Sequence, residues 1–398
     1  MSKAGIEVLV VIEGDIATTQ LIEQILGAVR DQGIVYRKQY LSALKAEDIR
    51  QHTVPLFIRC GDPLMTLWID CLRAARHPYL YYIDDNFWEI TGSSPVAHYY
   101  RQPSVRSALE VAVVHAWQVL TNSEVLAAYL ARFNTRMTVL PASFDFSLLG
   151  EQCPPCASEV RIGFAGSPSR VDDLDIIAPL VISTLDTFPD VAFEFAGALP
   201  PGLEESERVR FFEHVGNYEQ FIHFKQSRGW AIGLAPLHDS VANRCKTNNK
   251  YREYSACNIP AIYTDIPPYQ GSVVDGRTGL LVSNTLEAWR EALERLIRDP
   301  ELRHSIASAA HDDVLRLHAA EVVACAWGRV LREADAQVRR ANPRALRVRS
   351  LNFVKRVSCF VQSILLRVRI VYSGGGVLGV ARKAVFWVFR QVGSRFDR

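Results

Sequence analysis

The stretch that decides the fold is RCKTNNKYREYSACNIPAIYTDIPPYQGSVVDGRTGLLV, from Arg244 to Val282. It starts with a basic, Asn-rich segment and continues through a predicted helix at 250–257 to an apolar strand at 261–264. A Pro-rich loop and a turn between two glycines follow. This order is typical of an α/β protein that holds a nucleotide-linked phosphate at the start of a helix.

The length and composition predict a globular protein of two domains. The chain has 398 residues, which is more than one hydrophobic core usually serves. Hydrophobic residues make up 48% of the chain and charged residues 22%, so large cores can form and global disorder is excluded.

The charge is distributed unevenly along the chain. Residues 339–398 contain 14 Lys and Arg but one acidic residue, Asp397, whereas residues 1–338 contain 31 basic and 42 acidic residues. The body therefore carries −11 and the C-terminal segment +13, within a total of +2. A separate basic segment predicts an anionic partner, either a membrane surface or a nucleic acid.

Eight cysteines are scattered through the sequence without the spacing of a disulfide framework, which suits a reducing cytoplasm. Cys153 and Cys156 form a CPPC pair, but no second pair completes a tetrahedral metal site. We expect no metal and no bound cofactor. A metal or redox role for the CPPC pair is the alternative to a linker with incidental thiols.

Short apolar runs separated by helix-length segments predict parallel sheets covered by helices on both faces. The first series starts at residues 6–12 and predicts an N-terminal Rossmann-like domain at 1–150. A segment rich in Pro, Cys and small residues at 151–159 precedes the second series, which predicts a Rossmann-like domain at 151–316.

Two further segments complete the predicted organisation. A helix at 317–338 is expected to return toward the first domain, and residues 339–398 form a basic amphipathic tail. The predicted fold class is therefore α/β, with two Rossmann-like domains facing a cleft and a helical tail.

Ligands of such sheets bind beyond the carboxyl ends of the strands, so the loops there hold the candidate site residues. In the text GFAGSPSR, Gly166 lets the backbone approach a ligand, and Ser167 and Arg170 can donate hydrogen bonds to phosphate oxygens. A later loop at the same edge contains Gly216 and Tyr218. The alternative for GFAGSPSR is an ordinary turn with Arg170 in solvent.

The text KTNNKYREY gives a more specific prediction. If a helix begins near Asn248 or Asn249, either residue can serve as its N-cap, and Lys246 and Lys250 flank the positive end of the helix dipole. Glu253 follows within two turns, and its carboxylate could accept hydrogen bonds from both hydroxyls of a ribose. The alternatives are a solvated pair of lysines and an ordinary helical glutamate paired with a neighbouring cation.

The span 163–282 resembles the retaining GT-B glycosyltransferases of the group-1, GT4-like family. That family carries E-x7-E, then A-C-G-x-P, a strand, a loop and D-G-x-T-G-L-L-V. This chain has Glu253 at the second glutamate, ACNIP at 256–260 and DGRTGLLV at 275–282. The resemblance extends more loosely over residues 5–335.

The resemblance implies a transferase that uses a nucleotide-diphosphate sugar without a metal. It implies that Glu253 binds the ribose of the nucleotide. It also implies that Lys246, assisted by Arg170 or Lys250, neutralises the leaving diphosphate. The chain departs from the family at Cys245, which stands where the first glutamate would be.

The first domain contains the predicted acceptor site. Asp84 and Asp85 end a predicted strand, so they are expected at the rim of the cleft with His98 nearby. Aromatic rings that could stack on a sugar follow Asp85, namely Trp88, Tyr99 and Tyr100. The alternative is that the aspartates cap a helix and the aromatic residues belong to the core.

The tail predicts the setting of the protein. Apolar positions recur at near-helical spacing between Leu351 and Val368, and a second segment around Trp387 combines aromatic and basic residues. Neither segment has the roughly 20 apolar residues needed to cross a bilayer. Basic amphipathic helices of this kind suit the surface of an anionic membrane, and the tail is too apolar for an arm that binds only nucleic acid. A solvated appendix or a helix that docks on a partner is the alternative.

A membrane-bound sugar transferase suggests a lipid-linked or cell-surface glycan acceptor, as in lipopolysaccharide or O-antigen synthesis, at the inner face of a bacterial cytoplasmic membrane. Two other functions stay open. One is an inactive GT-B scaffold in a glycan-assembly complex, and the other is a sugar-nucleotide epimerase.

Overall fold

The computed structural model describes residues 5–92, 94–150, 158–213, 217–346 and 357–368. In these ranges the chain forms two parallel sheets of six strands each, so the expected architecture of two Rossmann-like domains is confirmed. Some residues named from the sequence lie outside the described residues, namely Cys153, Cys156, Gly216, Leu351, Trp387 and Asp397.

The first sheet has the strand order β2-β1-β3-β4-β5-β6. Its strands are β1 (Ile6–Ile12), β2 (Ile34–Tyr40), β3 (Thr53–Ile58), β4 (Leu80–Tyr82), β5 (Gln118–Thr121) and β6 (Met137–Val139). The helices of this half are α1 (Ala17–Ala28), α2 (Leu64–Ala74), α3 (Pro95–Tyr100), α4 (Pro103–His115) and α5 (Glu124–Leu130). Alternate residues of β1 enter different cores, because Leu9 packs on one face of the sheet and Val10 on the other.

The second sheet has the order β12-β11-β10-β7-β8-β9. Its strands are β7 (Val160–Ala165), β8 (Val191–Ala196), β9 (Val209–Phe212), β10 (Ile232–Ala235), β11 (Ala261–Thr264) and β12 (Leu280–Val282). The helices are α6 (Ile177–Thr187), α7 (Tyr218–Ser227), α8 (Val241–Arg244), α9 (Asn249–Ala256), α10 (Pro267–Gln270), α11 (Leu286–Arg298) and α12 (Pro300–His318). Strands β8, β10 and β11 are buried along their whole length, which explains their continuous apolar runs.

The chain then returns to the first domain through α13 (Ala320–Ala341). Its apolar face, which includes Trp327 and Leu331, packs in the same core as Val10 of β1. Further on, the backbone N–H of Arg344 donates to the carbonyl of Ala75 at the end of α2, 2.9 Å away. The described segment that follows α13 is therefore attached to the first domain at Arg344.

A last helix covers residues 357–368, and we call it the tail helix. Cys359 and Leu366 are buried, and Leu366 joins the core on the α2 side of the first sheet. Within the described part of the chain, no helix combines the length and the apolar character that crossing a membrane requires.

The close packing of β7 predicts a large effect from a small substitution. A Cβ at Gly163 would overlap the indole ring of Trp230, which cannot move freely because its Nε1 donates to the buried Glu194 at 2.8 Å. We expect Gly163→Ala to lower the free energy of unfolding by about 1 to 3 kcal/mol in urea titrations. Gly271→Ala is the control, because no atom lies within 4 Å of the added carbon. Equal stability of the two variants would contradict this packing.

Candidate active site

The loops beyond the carboxyl ends of the two sheets meet in a cleft. An ion pair crosses it, because the Nζ of Lys246 in the second domain lies 2.9 Å from Oδ1 of Asp85 in the first. A cavity beside this pair is lined from both domains, by residues that include Thr18, Tyr82, Asp84, Asn122, Ser143, Tyr218, Asn249, Arg252 and Glu253. The predicted residues Asp84, Tyr218, Asn249 and Glu253 therefore share one cavity.

The two predicted acceptor aspartates have different environments. Burial disfavours the charge of Asp85, but Lys246 and Arg59 outweigh this effect and hold the pKa of Asp85 at about 2. Asp84 accepts from the hydroxyl of Thr18 at 2.7 Å and lies 3.1 Å from Arg59. Burial raises the pKa of Asp84, opposed by Arg59 and reinforced by the charge of Asp85. Asp85 is thus held ionised, whereas Asp84 is the more basic carboxylate.

Glu253 is held by a lysine that the sequence analysis missed. Lys225 of α7 is 1% exposed, forms a short ion pair with Glu253 and lies 4.1 Å from the centroid of the Phe221 ring. Burial disfavours the carboxylate of Glu253, but Lys225, together with Lys250 and Arg252, outweighs burial and keeps the pKa of Glu253 below the ordinary value. A signal was present in the sequence, because Lys225 lies three residues after Ile222 on the buried face of α7.

Lys250 lies in the first turn of α9 and points to the second sheet. Its ammonium donates to the carbonyl of Ala165 at the end of β7 and sits 4.4 Å from the centroid of the Phe164 ring. Burial lowers the pKa of Lys250 to about 7, opposed by Glu253 and reinforced by Lys225. Near neutral pH, Lys250 is therefore only partly protonated in the free protein.

Arg170 lies close enough to both candidate lysines to act on their charges. It pairs with Asp173 at 3.1 Å, and its positive charge contributes to lowering the pKa of Lys246 and of Lys250, after the larger effects of burial and of the nearest partners. The three predicted cations therefore lie on one side of the cleft. Their mutual repulsion favours binding of an anion at this place.

The GFAGSPSR loop approaches this group through its backbone. The N–H of Gly166 donates to the carbonyl of Ala196 at 3.0 Å, and a Cβ at Gly166 would come within 2.8 Å of the Phe164 ring. Ser167 is exposed, and its hydroxyl lies 2.8 Å from that of Ser169. Only glycine fits at position 166 without displacing Phe164.

The start of α9 differs from the predicted cap. Asn248 occupies the N-cap position, but neither it nor Asn249 caps the helix with its side chain. Instead, both amide oxygens accept from the buried Arg252, which also donates to the backbone carbonyl of Ser143 in the first half of the chain. Asn248 therefore occupies the predicted cap position, but the two asparagine side chains orient an arginine that connects the two halves of the chain instead of capping the helix.

The prediction that Trp88 and Tyr100 are available to stack on a sugar is wrong. Trp88 and Tyr100 are buried in the first domain, where Tyr100 stacks on Phe87 with ring centroids 3.7 Å apart. Tyr99 is partly buried and donates to Glu13 at 2.7 Å. His98 is exposed on α3, and its ring makes no hydrogen bond or ion pair with another described residue.

Cys245 is buried at the contact between the domains. Its Sγ lies 3.5 Å from Nδ2 of Asn86, and the residue joins the core of the first domain. Burial raises the pKa of the thiol, and the carboxylates of Asp85 and Glu89 add to this effect. Among the described residues, no group of three or more His, Cys, Asp or Glu side chains could hold a metal ion.

Comparison with known proteins agrees with this geometry. Residues 178–327 match the family model described as glycosyl transferase-like. No curated protein matches the chain by sequence. The second half of the chain therefore carries a glycosyl transferase-like region, which overlaps the span that resembles the family in sequence.

Solved structures share the fold over almost their whole length. Sucrose-phosphate synthase from Thermosynechococcus elongatus has a TM-score of 0.59 at 14% identity, over 83% of this chain and 99% of that one. HepE of Anabaena, solved with UDP-glucose, has a TM-score of 0.59 at 14% identity, over 82% and 99%. Trehalose-6-phosphate synthase OtsA has a TM-score of 0.56 at 11% identity, over 82% and 99%. These identities establish the shared fold only.

The buried pair of Lys225 and Glu253 predicts strong coupling between the two residues. We expect Lys225→Met to lower the free energy of unfolding by about 3 to 5 kcal/mol, because it leaves a buried carboxylate without its partner. The double variant with Glu253→Gln should regain part of this loss. Urea unfolding of both single variants and the double variant measures the coupling, and additivity within about 0.5 kcal/mol would show that the pair is independent.

The lowered pKa of Lys250 predicts that stability depends on pH. Between about 7 and its ordinary value, the unfolded chain holds the Lys250 proton and the folded protein does not, so stability should rise with pH in this window. We expect Lys250→Met to remove a slope on the order of 1 kcal/mol per pH unit. Urea titrations at pH 7, 8 and 9 give the free energy of unfolding of the wild type and of Lys250→Met. If the two free energies change with pH in parallel, the lowered pKa of Lys250 is contradicted.

Proposed function

We propose that the protein is a retaining glycosyltransferase that moves a sugar from a nucleotide-diphosphate donor to a lipid-linked or cell-surface glycan. The acceptor belongs to lipopolysaccharide, O-antigen or a similar polysaccharide. The reaction needs no metal ion and no other cofactor. The observation that carries this proposal is the group of Lys246, Arg170 and Lys250, in which the charge of Arg170 acts on both lysines. Lys246 pairs with Asp85 across the cleft, and Lys250 also interacts with Glu253.

The cations suit the departure of a diphosphate. Cleavage of a sugar–phosphate bond builds negative charge on the leaving group, and cations already held in place stabilise that charge more in the transition state than in the ground state. Lys246 is the principal cation, assisted by Arg170 and Lys250. An approaching diphosphate would favour the protonated form of Lys250, whose pKa is about 7 without a ligand.

The remaining donor contacts come from the predicted loops. Glu253 accepts from the ribose hydroxyls, and its ion pair with Lys225 keeps the carboxylate charged for this role. Tyr218 and Asn249 line the same cavity. The backbone at Gly166 and Ser167 is proposed to contact the phosphates. HepE, which shares the fold, has been solved with UDP-glucose, which supports a sugar nucleotide as the donor.

The acceptor side is formed by the two aspartates. Asp84 lines the cavity and has a raised pKa, so it is the better acceptor of a hydroxyl proton. Asp85 already neutralises Lys246, so the diphosphate must compete with Asp85 when it binds. His98 completes the predicted acceptor face from the exposed surface of α3.

Two further observations support transfer with retention of configuration and a location at the membrane. Trehalose-6-phosphate synthase, a structural neighbour, performs glycosyl transfer with retention, and a product of retained configuration is proposed here. The basic segment 339–398 binds an anionic membrane and places the enzyme at the inner face of the cytoplasmic membrane. An acceptor that carries a lipid would be reached there. No nucleic acid partner is proposed.

Removal of Lys246 tests the proposed mechanism. We expect Lys246→Ala to lower turnover roughly a hundredfold, the usual effect of losing one group that stabilises developing charge, with little change in melting temperature. Arg244→Ala is the matched control, because Arg244 is an exposed cation on the same loop that pairs with Asp239 away from Lys246. Near-normal transfer by folded Lys246→Ala would remove this residue from the mechanism.

Donor binding tests the function itself. A thermal-shift panel of nucleoside diphosphates and their sugars should raise the melting temperature for at least one base, because a ligand that binds only the folded state stabilises it by mass action. Absence of any shift would favour the inactive scaffold, which the presence of Cys245 at the family's glutamate position makes a specific alternative. Conversion of the bound sugar nucleotide without an acceptor would instead identify an epimerase.

A further inference from the structure

The tail helix is attached to the first domain by one face. The hydroxyl of Ser363 donates to Oδ2 of Asp62 at 2.8 Å, and Nη2 of Arg367 lies 3.4 Å from the same oxygen. Ser363, Leu366 and Cys359 are buried. The position of this helix relative to the first sheet is therefore determined by an ion pair, a hydrogen bond and apolar packing.

The opposite face of the tail helix is apolar and exposed. Its side chains recur three or four residues apart, which places them on one side of a helix. Each has between 41% and 51% of its surface exposed, and the row consists of Val357, Phe360, Val361, Leu365 and Val368. A contiguous apolar row of this kind on a protein surface indicates a partner.

The net charge of residues 339–398 indicates which kind of partner binds this row. Residues 339–398 carry 14 Lys and Arg against one acidic residue, so a second copy of the same segment would be repelled. In the sequence, Lys355 and Arg356 precede the tail helix and Arg369 follows it. An anionic lipid surface offers both an apolar interior for the row and negative headgroups for these flanking cations, as for a helix that lies in the membrane interface.

The site where the tail helix is attached shows on which side of the first domain the helix lies. Asp62 follows β3, and Glu13, which follows β1, accepts from the backbone N–H groups of Gly61 and Asp62 at 2.5 and 2.6 Å. Because parallel strands end at the same edge of a sheet, Asp62 lies at the edge where Asp85 follows β4. The tail helix is therefore attached on the cleft side of the first domain.

We propose that the exposed row of the tail helix lies in the surface of an anionic bilayer, and that its attachment to Asp62 turns the acceptor side of the cleft toward that bilayer. The second part rests on the proposed function, because it supplies the route by which a lipid-linked acceptor reaches Asp84. The first part depends only on the tail helix and the charge around it.

Charged substitutions in the row test the lipid-binding face in the full-length protein. Phe360→Asp/Leu365→Asp should lower partition onto vesicles of phosphatidylcholine with 30% phosphatidylglycerol, in a flotation assay, by about tenfold or more. The control Ile182→Asp/Val322→Asp makes the same charge change at exposed apolar residues of α6 and α13 and should float like the wild type. Equal flotation of both double variants, or no flotation of the wild type, would overturn the proposal.

Two further measurements test whether the row binds a second copy of the protein and whether the variants still bind the donor. If the wild type forms a dimer that Phe360→Asp/Leu365→Asp dissociates in light scattering, the row is a contact between two copies and the proposal is wrong. Nucleoside diphosphates should shift the melting temperature of both double variants as they shift that of the wild type. If nucleoside diphosphates shift the melting temperature of neither the wild type nor the double variants, the proposed function is contradicted, but the proposed lipid-binding face is not.

The attachment to Asp62 has its own test. Without lipid, the backbone amides of 357–368 should exchange hydrogen slowly in the wild type and faster in Asp62→Asn, which weakens the bonds from Ser363 and Arg367. Vesicle flotation of Asp62→Asn should be unchanged, because the exposed row is intact. Exchange at the rate of an unfolded chain in the wild type would overturn the proposed orientation.

Discussion

Opposite charges meet where the two sheets face each other, and the charge state of the cleft depends on this pairing. Lys246 of the second domain would be a partly buried cation without Asp85 of the first, and the cost of taking a charge from water is recovered only when a partner lies close. Arg252 adds a second connection through the carbonyl of Ser143. Neither half of the chain satisfies these groups alone, so the arrangement of the cleft and its charge state are linked.

This pairing also prepares the site for an anion. Lys225 keeps Glu253 ionised, and Asp85 keeps Lys246 in the cleft, so the side chains are in place before a ligand arrives. Electrostatic catalysis depends on groups that need no rearrangement when charge develops. A diphosphate that replaces Asp85 at Lys246 would exchange one anion for another, so the desolvation of the lysine is already completed in the free protein.

The sequence predicted the elements better than their contacts. Continuous apolar runs such as β10 and β11 are visible in the sequence because both faces of those strands are buried. The text KTNNKYREY likewise predicted α9 and its charged residues. The pairing of Lys225 with Glu253 was not predictable, because it depends on how α7 packs against α9. The same holds for Asp85 and Lys246, which are 161 residues apart and meet only after both domains have formed.

The residue that departs from the family pattern has a physical explanation in this environment. Cys245 is buried against Asn86, and two carboxylates, Asp85 and Glu89, already raise the pKa of its thiol. A glutamate at this position would place a third negative charge beside them with no cation of its own, since Lys246 is paired with Asp85. A neutral, small and apolar side chain therefore fits this contact between the domains. In the proposed function, recognition of the donor sugar would therefore depend on other groups in the cleft, such as the polar side chains that line the cavity beside Glu253.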